Sequence, residues 1–300
     1  MTNDSLRLDG RVALVTGAGQ GLGRAEALAL AAGGARVVVN DYDADAARAV
    51  VEEITATGAE AKAAPGDVSK WDTASALVST AIEHFGSLDV LVNNAGVLRD
   101  RLIFNISEEE WDTVIGVHLK GHAATTRFAT AYWREQSKAT GGEVYARVIN
   151  TSSEAFLFGS PGQPNYAAAK AGITALTLST AQGCSRFGVR ANAICPRART
   201  AMTANVFGEA PTDEPDPLSA DHVAPLVAYL ASPAAARITG QVFVAYGPMV
   251  VLASAPAIEK RFDASGPSWT VADLDGALGS YFADRDPALS FVASDFYTLS

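Results

Sequence analysis

The sequence predicts an α/β fold in which a doubly wound parallel sheet carries helices on both faces. Three observations support this. Short apolar runs alternate with helical stretches through residue 248, a glycine-paced turn joins the first run to the first helix, and an acidic residue closes the second run. At 300 residues, 48% hydrophobic and 19% charged, the chain can bury a sizeable core and has neither a disordered nor a membrane composition. It holds no uninterrupted apolar run of membrane-spanning length, so no membrane insertion is expected. The start, MTNDSLRLDGR, lacks the apolar centre of a signal peptide, and Cys184 and Cys195 are too few for a disulfide framework. A cytoplasmic protein is expected. The net charge of −10 argues against nucleic-acid binding, so an anionic ligand must be held by local donors.

Residues 11–16 (RVALVT) form a β-branched run suited to a buried parallel strand. Gly17, Gly19, Gly21 and Gly23 follow, interleaved with Gln20 and Leu22, and an Ala/Leu helix begins there. Such glycines let the backbone turn tightly and bring free N–H groups toward a pyrophosphate. Residues 35–39 read as the second strand, ended by Asn40-Asp41. A carboxylate there can bind both ribose hydroxyls of adenosine and repel a 2′-phosphate, which favours NAD over NADP. Asp41 could equally cap the helix over 44–57. Residues 59–64 form a third strand, followed by Asp67 and Val68; Asp67 suits either the adenine amino group or a helix cap.

A fourth strand over 88–92 runs into Asn93-Asn94-Ala95-Gly96, small and amide residues that let backbone pass close to adenine and ribose. One helix is expected over 108–136, a fifth strand over 144–150, a helix over 165–187, and a sixth strand over 189–194 ending at Pro196. Residues 203–220, with Pro211, Pro215 and Pro217, break all periodicity and read as a flap. A helix over 222–230 and a strand over 242–245 complete a Rossmann-type sheet of seven strands, so residues 1–250 form one domain. Residues 251–300, with one amphipathic helix over 274–282, read as a C-terminal extension packed on it.

The chemistry concentrates in TSSEAFLFGSPGQPNYAAAK, residues 151–170. A strand end meets a helix start here, and Tyr166 and Lys170 lie at i and i+4, on one helix face. With Ser153 they make a proton-transfer site for an alcohol or carbonyl, although Tyr-x-x-x-Lys alone could be an exposed amphipathic pair.

With these motifs in order over residues 10–248, the chain resembles the short-chain dehydrogenase/reductase family. Within it, GRVALVTGAGQGLGRAEALAL, NNAGVLRDR, VHLKG and GQPNYAAAK look most like the (3R)-hydroxyacyl-CoA dehydrogenase domains of type 2 multifunctional enzymes. The resemblance implies that Tyr166 is the general base, that Lys170 and the positive nicotinamide ring of the oxidised cofactor lower its pKa from about 10, that Lys170 also holds the nicotinamide ribose, and that Ser153 orients the substrate oxygen. It places His118 where the family has an Asn whose main-chain carbonyl holds a relay water; a buried structural histidine is the competing reading. Thr200 is expected at the nicotinamide carboxamide. Arg197 and Arg199 suit either an acyl-CoA phosphate or the surface. The substrate pocket is expected from residues 99–104, 156–163 and the flap.

The resemblance thus implies an NAD-dependent oxidation of a 3-hydroxyacyl-CoA or hydroxysteroid-type alcohol, no metal, and a homodimer or homotetramer joined through the helices over 108–136 and 165–187. The alternatives are a 3-oxoacyl reductase, for which Asp41 is awkward, and a silent NAD-sensing scaffold, against which the intact Ser153, Tyr166 and Lys170 argue.

Overall fold

The computed structural model describes residues 4–200, 202–203, 207–212, 215–286 and 291–293. The chain divides into two compact units, Met1–Ala253 and Ser254–Ser300. The first contains a sheet of eight strands rather than seven, in the order β3-β2-β1-β4-β5-β6-β7-β8. β1 (Val12–Val15), β2 (Arg36–Val39), β3 (Ala61–Ala63), β4 (Val90–Asn93), β5 (Ala146–Thr151), β6 (Val189–Pro196) and β7 (Val242–Tyr246) run parallel. β8 (Met249–Leu252) turns back antiparallel on β7. A parallel neighbour needs a helical crossover, whereas an antiparallel one needs only a tight turn. Gly247, at φ +48°, and Pro248 supply that turn, so this strand carries no rhythm of strand and helix.

The first strands are buried on both faces, as parallel strands between helical layers must be. Ala13 and Val15 pack on one side with Leu30 of α1 (Gly21–Ala32), Val50 and Ile54 of α2 (Ala44–Ala56) and a helix discussed below. Val12 and Leu14 pack on the other with Leu77 of α3 (Trp71–Phe85) and Trp133. The helix expected over 108–136 is interrupted. α4 (Glu108–Ile115) begins with a Ser107–Glu110 capping box, a π-turn occupies Gly116–Lys120, and α5 (Gly121–Thr140) follows. The Gly121 N–H reaches the Gly116 carbonyl, a wider ring than the α-helical one. α6 (Ala155–Phe158) is a single turn, α7 (Pro164–Cys184) is the long helix after β5, and α8 (Ala224–Ala231) packs Val227 and Leu230 on the α1 side.

Polar groups cross the sheet behind the strand ends. Asn93 Nδ2 donates to Asn150 Oδ1 (2.9 Å) and Thr126 Oγ1 (3.1 Å), and Asn150 Nδ2 donates to Thr177 Oγ1 (2.8 Å). Each buried amide is thereby partnered, and β4 and β5 are tied to α5 and α7. The switch in strand order falls between β1 and β4, whose C-terminal ends open a crevice there.

In the second unit, Val271–Leu274 is a helical turn capped by Thr270 and continued through Asp275–Gly279 to Ser280–Phe282. Tyr281 donates to Glu259 Oε1 (2.7 Å) and packs edge-on against Phe262.

Candidate active site

A cleft of about 920 Å³ follows the crevice. One end is lined by Asp41, Asp67 and Val68, the middle by Gly17, Gln20, Gly21, Leu22 and Asn94–Gly96, and the other end by Tyr166, Lys170, Pro196 and Thr200. Gly17 holds φ +62°, and a Cβ there would lie 2.7 Å from the Ala95 Cα. Both the left-handed backbone and the close approach exclude a side chain. Gly23 does not line the cleft. It packs against the Gly17 carbonyl and the Asn94 amide, so its role is to let helix and loop touch.

Hydrogen bonds fasten the glycine loop to the end of β4. Asn94 Nδ2 donates to the carbonyls of Thr16 (3.1 Å) and Gly17 (3.0 Å), while Thr16 Oγ1 accepts the N–H groups of Asn94 (3.1 Å) and Ala95 (3.2 Å). Asp41 is not the cap of α2. Asp43 caps it, accepting from Asp45 (2.9 Å) and Ala46 (3.2 Å), and Asp41 Oδ2 instead accepts the Gly19 N–H (2.8 Å). The acid therefore sits against the loop at the cleft wall. Asp67 does not cap α3 either, since Lys70 occupies that position; Asp67 Oδ1 accepts the Ser69 N–H (2.9 Å) and shapes the turn. Main-chain cradle, acid and volume all fit a dinucleotide.

At the other end Ser153 follows β5, its Oγ accepting the Ala155 N–H (3.2 Å), close enough to Tyr166 to pull on its titration. Lys170 is 2% exposed, its Nζ lies 5.2 Å from the Tyr166 ring centre, and it donates to the Thr151 carbonyl (2.5 Å). The pair is a site pair, not an exposed amphipathic one. In the protein alone, burial pushes Tyr166 up to about 12, with the Ser153 hydroxyl pulling the other way. Burial likewise lowers Lys170 to about 7. Both shifts favour the uncharged form, so the protein alone supplies a neutral phenol beside a half-titrated amine.

His118 stands in the π-turn, buried, with its ring perpendicular to Tyr166 at 5.2 Å between centres. Its Nε2 lies 3.0 Å from the Val97 nitrogen and 2.8 Å from the Val97 oxygen, and the ring fills the space a Cβ on Gly96 would need. Burial first, and the Lys170 charge second, hold its pKa well below the ordinary histidine value. The imidazole is thus a neutral wedge between the Val97 loop and the Tyr166 ring.

The two arginines after β6 are half-buried, and each is paired with a carboxylate. Arg197 grips Glu154 through two bonds of 2.8 Å. Arg199 bonds Asp216 through Nε (2.9 Å) and Nη2 (3.3 Å) and the carbonyls of Phe207 and Gly208 through Nη1. Phe156, Leu157 and Phe158, expected at the substrate, lie on α6, half-buried and away from the cleft wall, whereas Arg99 does line it. Within the 203–220 flap, residues 204–206 and 213–214 lie outside the described residues. The sequence reading missed Asn165. It is fully buried, its Oδ1 accepts the Tyr166 N–H (2.8 Å), and its Nδ2 donates to the carbonyls of Arg99 (3.1 Å) and Glu110 (3.3 Å). A polar residue between Pro164 and the phenol, in a stretch otherwise Ala-rich, was the available signal.

A glycine loop clamped to β4, an acid after β2 and a Ser–Tyr–Lys cluster between β5 and α7 define an α/β oxidoreductase site. Residues 11–210 match the family described as short chain dehydrogenase, and the chain belongs to that family. It is 58% identical, over 98% of its length and 95% of the relative's, to hydroxyacyl-CoA dehydrogenase ChsB1 of Mycobacterium tuberculosis. It is 43% identical, over 75% of its length and 30% of the relative's, to peroxisomal multifunctional enzyme type 2 of Mus musculus. A short chain dehydrogenase crystal structure from Mycobacterium avium superposes with a TM-score of 0.83 at 49% identity, covering 93% of this chain and 97% of that one.

Proposed function

We propose that the protein is an NAD-dependent dehydrogenase that oxidises the hydroxyl of a 3-hydroxyacyl-CoA thioester. The observation carrying the reading is the placement of Asp41 and of Tyr166 with Lys170 at opposite ends of one cleft. Full-length similarity to a hydroxyacyl-CoA dehydrogenase supports the thioester over a hydroxysteroid. Members of this family typically use NAD(P), and a carboxylate at Asp41 favours the form without a 2′-phosphate.

In this reading the cofactor is held by the main chain of Gly17 to Leu22, by Asp41 at the adenosine ribose, by Asp67 and Val68 at adenine, by Asn94, Ala95 and Gly96 in the middle, and by Lys170, Pro196 and Thr200 at the nicotinamide end. Bound NAD would supply the hydride acceptor and a positive ring. Ser153 Oγ donates to the substrate oxygen and fixes it beside the phenol. Tyr166 Oη takes the hydroxyl proton as the carbonyl forms. With the phenol at about 12, neighbouring positive charge must lower it before it can act near neutral pH. Protonated Lys170, anchored to the Thr151 carbonyl and facing the Tyr166 ring, supplies part of that charge. His118 holds the ring of Tyr166 in place, and its own carbonyl remains in the π-turn beside the site.

Two free thiols, Cys184 and Cys195, and the absence among the described residues of a helix long and apolar enough to cross a membrane support a cytoplasmic setting. Assembly as a homodimer or homotetramer through α4, α5 and α7 is part of the same reading. The test is NADH formation by the purified protein, with NAD and NADP compared on (3R)- and (3S)-hydroxyacyl-CoA and on a hydroxysteroid panel. Turnover of a hydroxyacyl-CoA with NAD is expected. Turnover of steroids alone would move the substrate class, and tight NAD binding with no turnover of any alcohol would return the sensing scaffold.

A further inference from the structure

Arg199 is bonded at every nitrogen to residues between 207 and 218, and it stands beside Thr200 on the cleft wall. The Arg199 main-chain N–H donates to the Leu218 carbonyl (2.7 Å). Its guanidinium bonds both oxygens of Asp216 (2.9 and 3.3 Å) and the carbonyls of Phe207 and Gly208. Asp216 Oδ1 in turn accepts the Leu218 N–H (2.9 Å). Two points far apart in the 203–218 segment are therefore gathered on one side chain at the end of β6.

A second set of bonds closes this arrangement into a ring. Thr203 Oγ1 donates to the Ala198 carbonyl (2.7 Å) and accepts the Thr200 N–H (2.9 Å). The Phe207 N–H then donates to the Thr203 carbonyl (3.1 Å), and the Phe207 carbonyl returns to Arg199. The inner edge of the ring is Thr200, Met202 and Thr203, all on the cleft wall. A Cβ built on Gly21 would stand 3.3 Å from Thr200 Cγ2, so the ring meets the glycine loop across the cleft. The Arg199 and Asp216 side chains are only 16% and 17% exposed, which limits competition from water.

We propose that Arg199 is a positioning residue: with Asp216 it holds the Thr200–Thr203 wall against the glycine loop and so sets affinity at the nicotinamide end of the cleft. The planar fork is what the site requires. A lysine ammonium keeps the charge, but as a single compact donor group it cannot bond two carboxylate oxygens and two carbonyls in one plane. The proposal rests on the dinucleotide reading of the cleft, yet it needs no knowledge of the alcohol.

The experiment measures NADH affinity by nucleotide fluorescence, without substrate, in wild type, Arg199→Lys, Asp216→Asn and the double variant, each with its thermal midpoint. The expected result is a loss of affinity of about 5- to 20-fold in each single variant. The double variant should lose no more than the worse single, because both remove the same interaction. Midpoints should shift by only a few degrees, and where turnover is measured at saturating cofactor, kcat should stay within about threefold while the cofactor KM follows the affinity. Unchanged affinity in variants whose parent binds NADH overturns the positioning role and leaves the functional reading standing. Affinity that falls only in step with a large loss of thermal stability also overturns it, as a general folding effect. A parent that binds no NADH overturns the dinucleotide reading, and this inference with it.

Discussion

The two ends of the cleft are built by different means. At the end lined by Asp41 the wall is a glycine loop whose main chain is held by two local side chains, the Asn94 amide and the Asp41 carboxylate, at the ends of β1, β2 and β4. At the end lined by Tyr166 and Lys170 it is side chain, and the Asn165 tether and two arginine–carboxylate pairs, none of them on the cleft wall, join residues distant in sequence there. A backbone site is fixed by local steric rules and tolerates few residues at its close approaches. A side-chain site is fixed by partners chosen across the fold, and there the substrate can change while the cofactor stays.

Four substitutions test that contrast, in decreasing order of effect. Tyr166→Phe should cut turnover by about 10²- to 10⁴-fold while NAD affinity stays within twofold, measured by steady-state kinetics and titration. Retained turnover would remove Tyr166 as the base.

The second concerns Glu26, which lies in α1 beside the glycine loop with both oxygens buried and without a hydrogen-bond partner, its pKa pushed up to about 8 by burial. Below the ordinary carboxyl range both folded and unfolded chains hold the proton, so there is no linkage. From there up to about pH 8 only the unfolded chain releases it, so stability should fall as pH rises through that window and level off above it. Glu26→Met should remove this contribution, so that its stability gain over the parent grows with pH to on the order of 4 kcal/mol at pH 8, read from denaturant unfolding of both across pH 5–9. An unchanged slope would place the proton elsewhere.

Third, Asp41→Ala should weaken NAD by about 10- to 100-fold and narrow the gap to NADP, with kcat on saturating cofactor nearly unchanged. Equal loss for both cofactors would mean that Asp41 acts only by holding Gly19. The smallest effect is expected for Glu154→Gln. It leaves Arg197 without its carboxylate and should lower stability by about 1 kcal/mol without touching NAD affinity, as unfolding curves and titration would show.

The adenosine end was legible in the sequence because its rules are local. Gly17, Asp41 and Asn94–Gly96 lie within a few residues of a strand end, and strand periodicity locates those ends. The tyrosine and lysine were legible for the same reason, through their spacing on one helix. Their protonation was not, since the shift of Tyr166 arises from how deeply the whole fold buries it. Arg197 and Arg199 looked free because Glu154 and Asp216, which neutralise them, lie far along the chain. Glu26 looked like any polar residue of an Ala/Leu helix, and nothing nearby in sequence shows that α1 is covered there. β8 was read as the end of the pattern because an antiparallel return needs no helix.

The π-turn at Gly116–Lys120 has a consequence for how this chain can change over evolutionary time. It inserts one residue into an otherwise continuous helical path, so relative to a plain α-helix everything after it is rotated by about 100°. Deleting one residue of that turn would close it into a plain α-helix and leave Thr125, Thr126 and Trp133 on the faces they now occupy in the buried polar ladder and the core, whereas a deletion between the turn and Thr125 would swing them off by about 100°. Length in this segment therefore has one tolerant point: the π-turn can lose its extra residue without a rebuilt α5, at the cost of the place it gives His118 beside Gly96 and Tyr166.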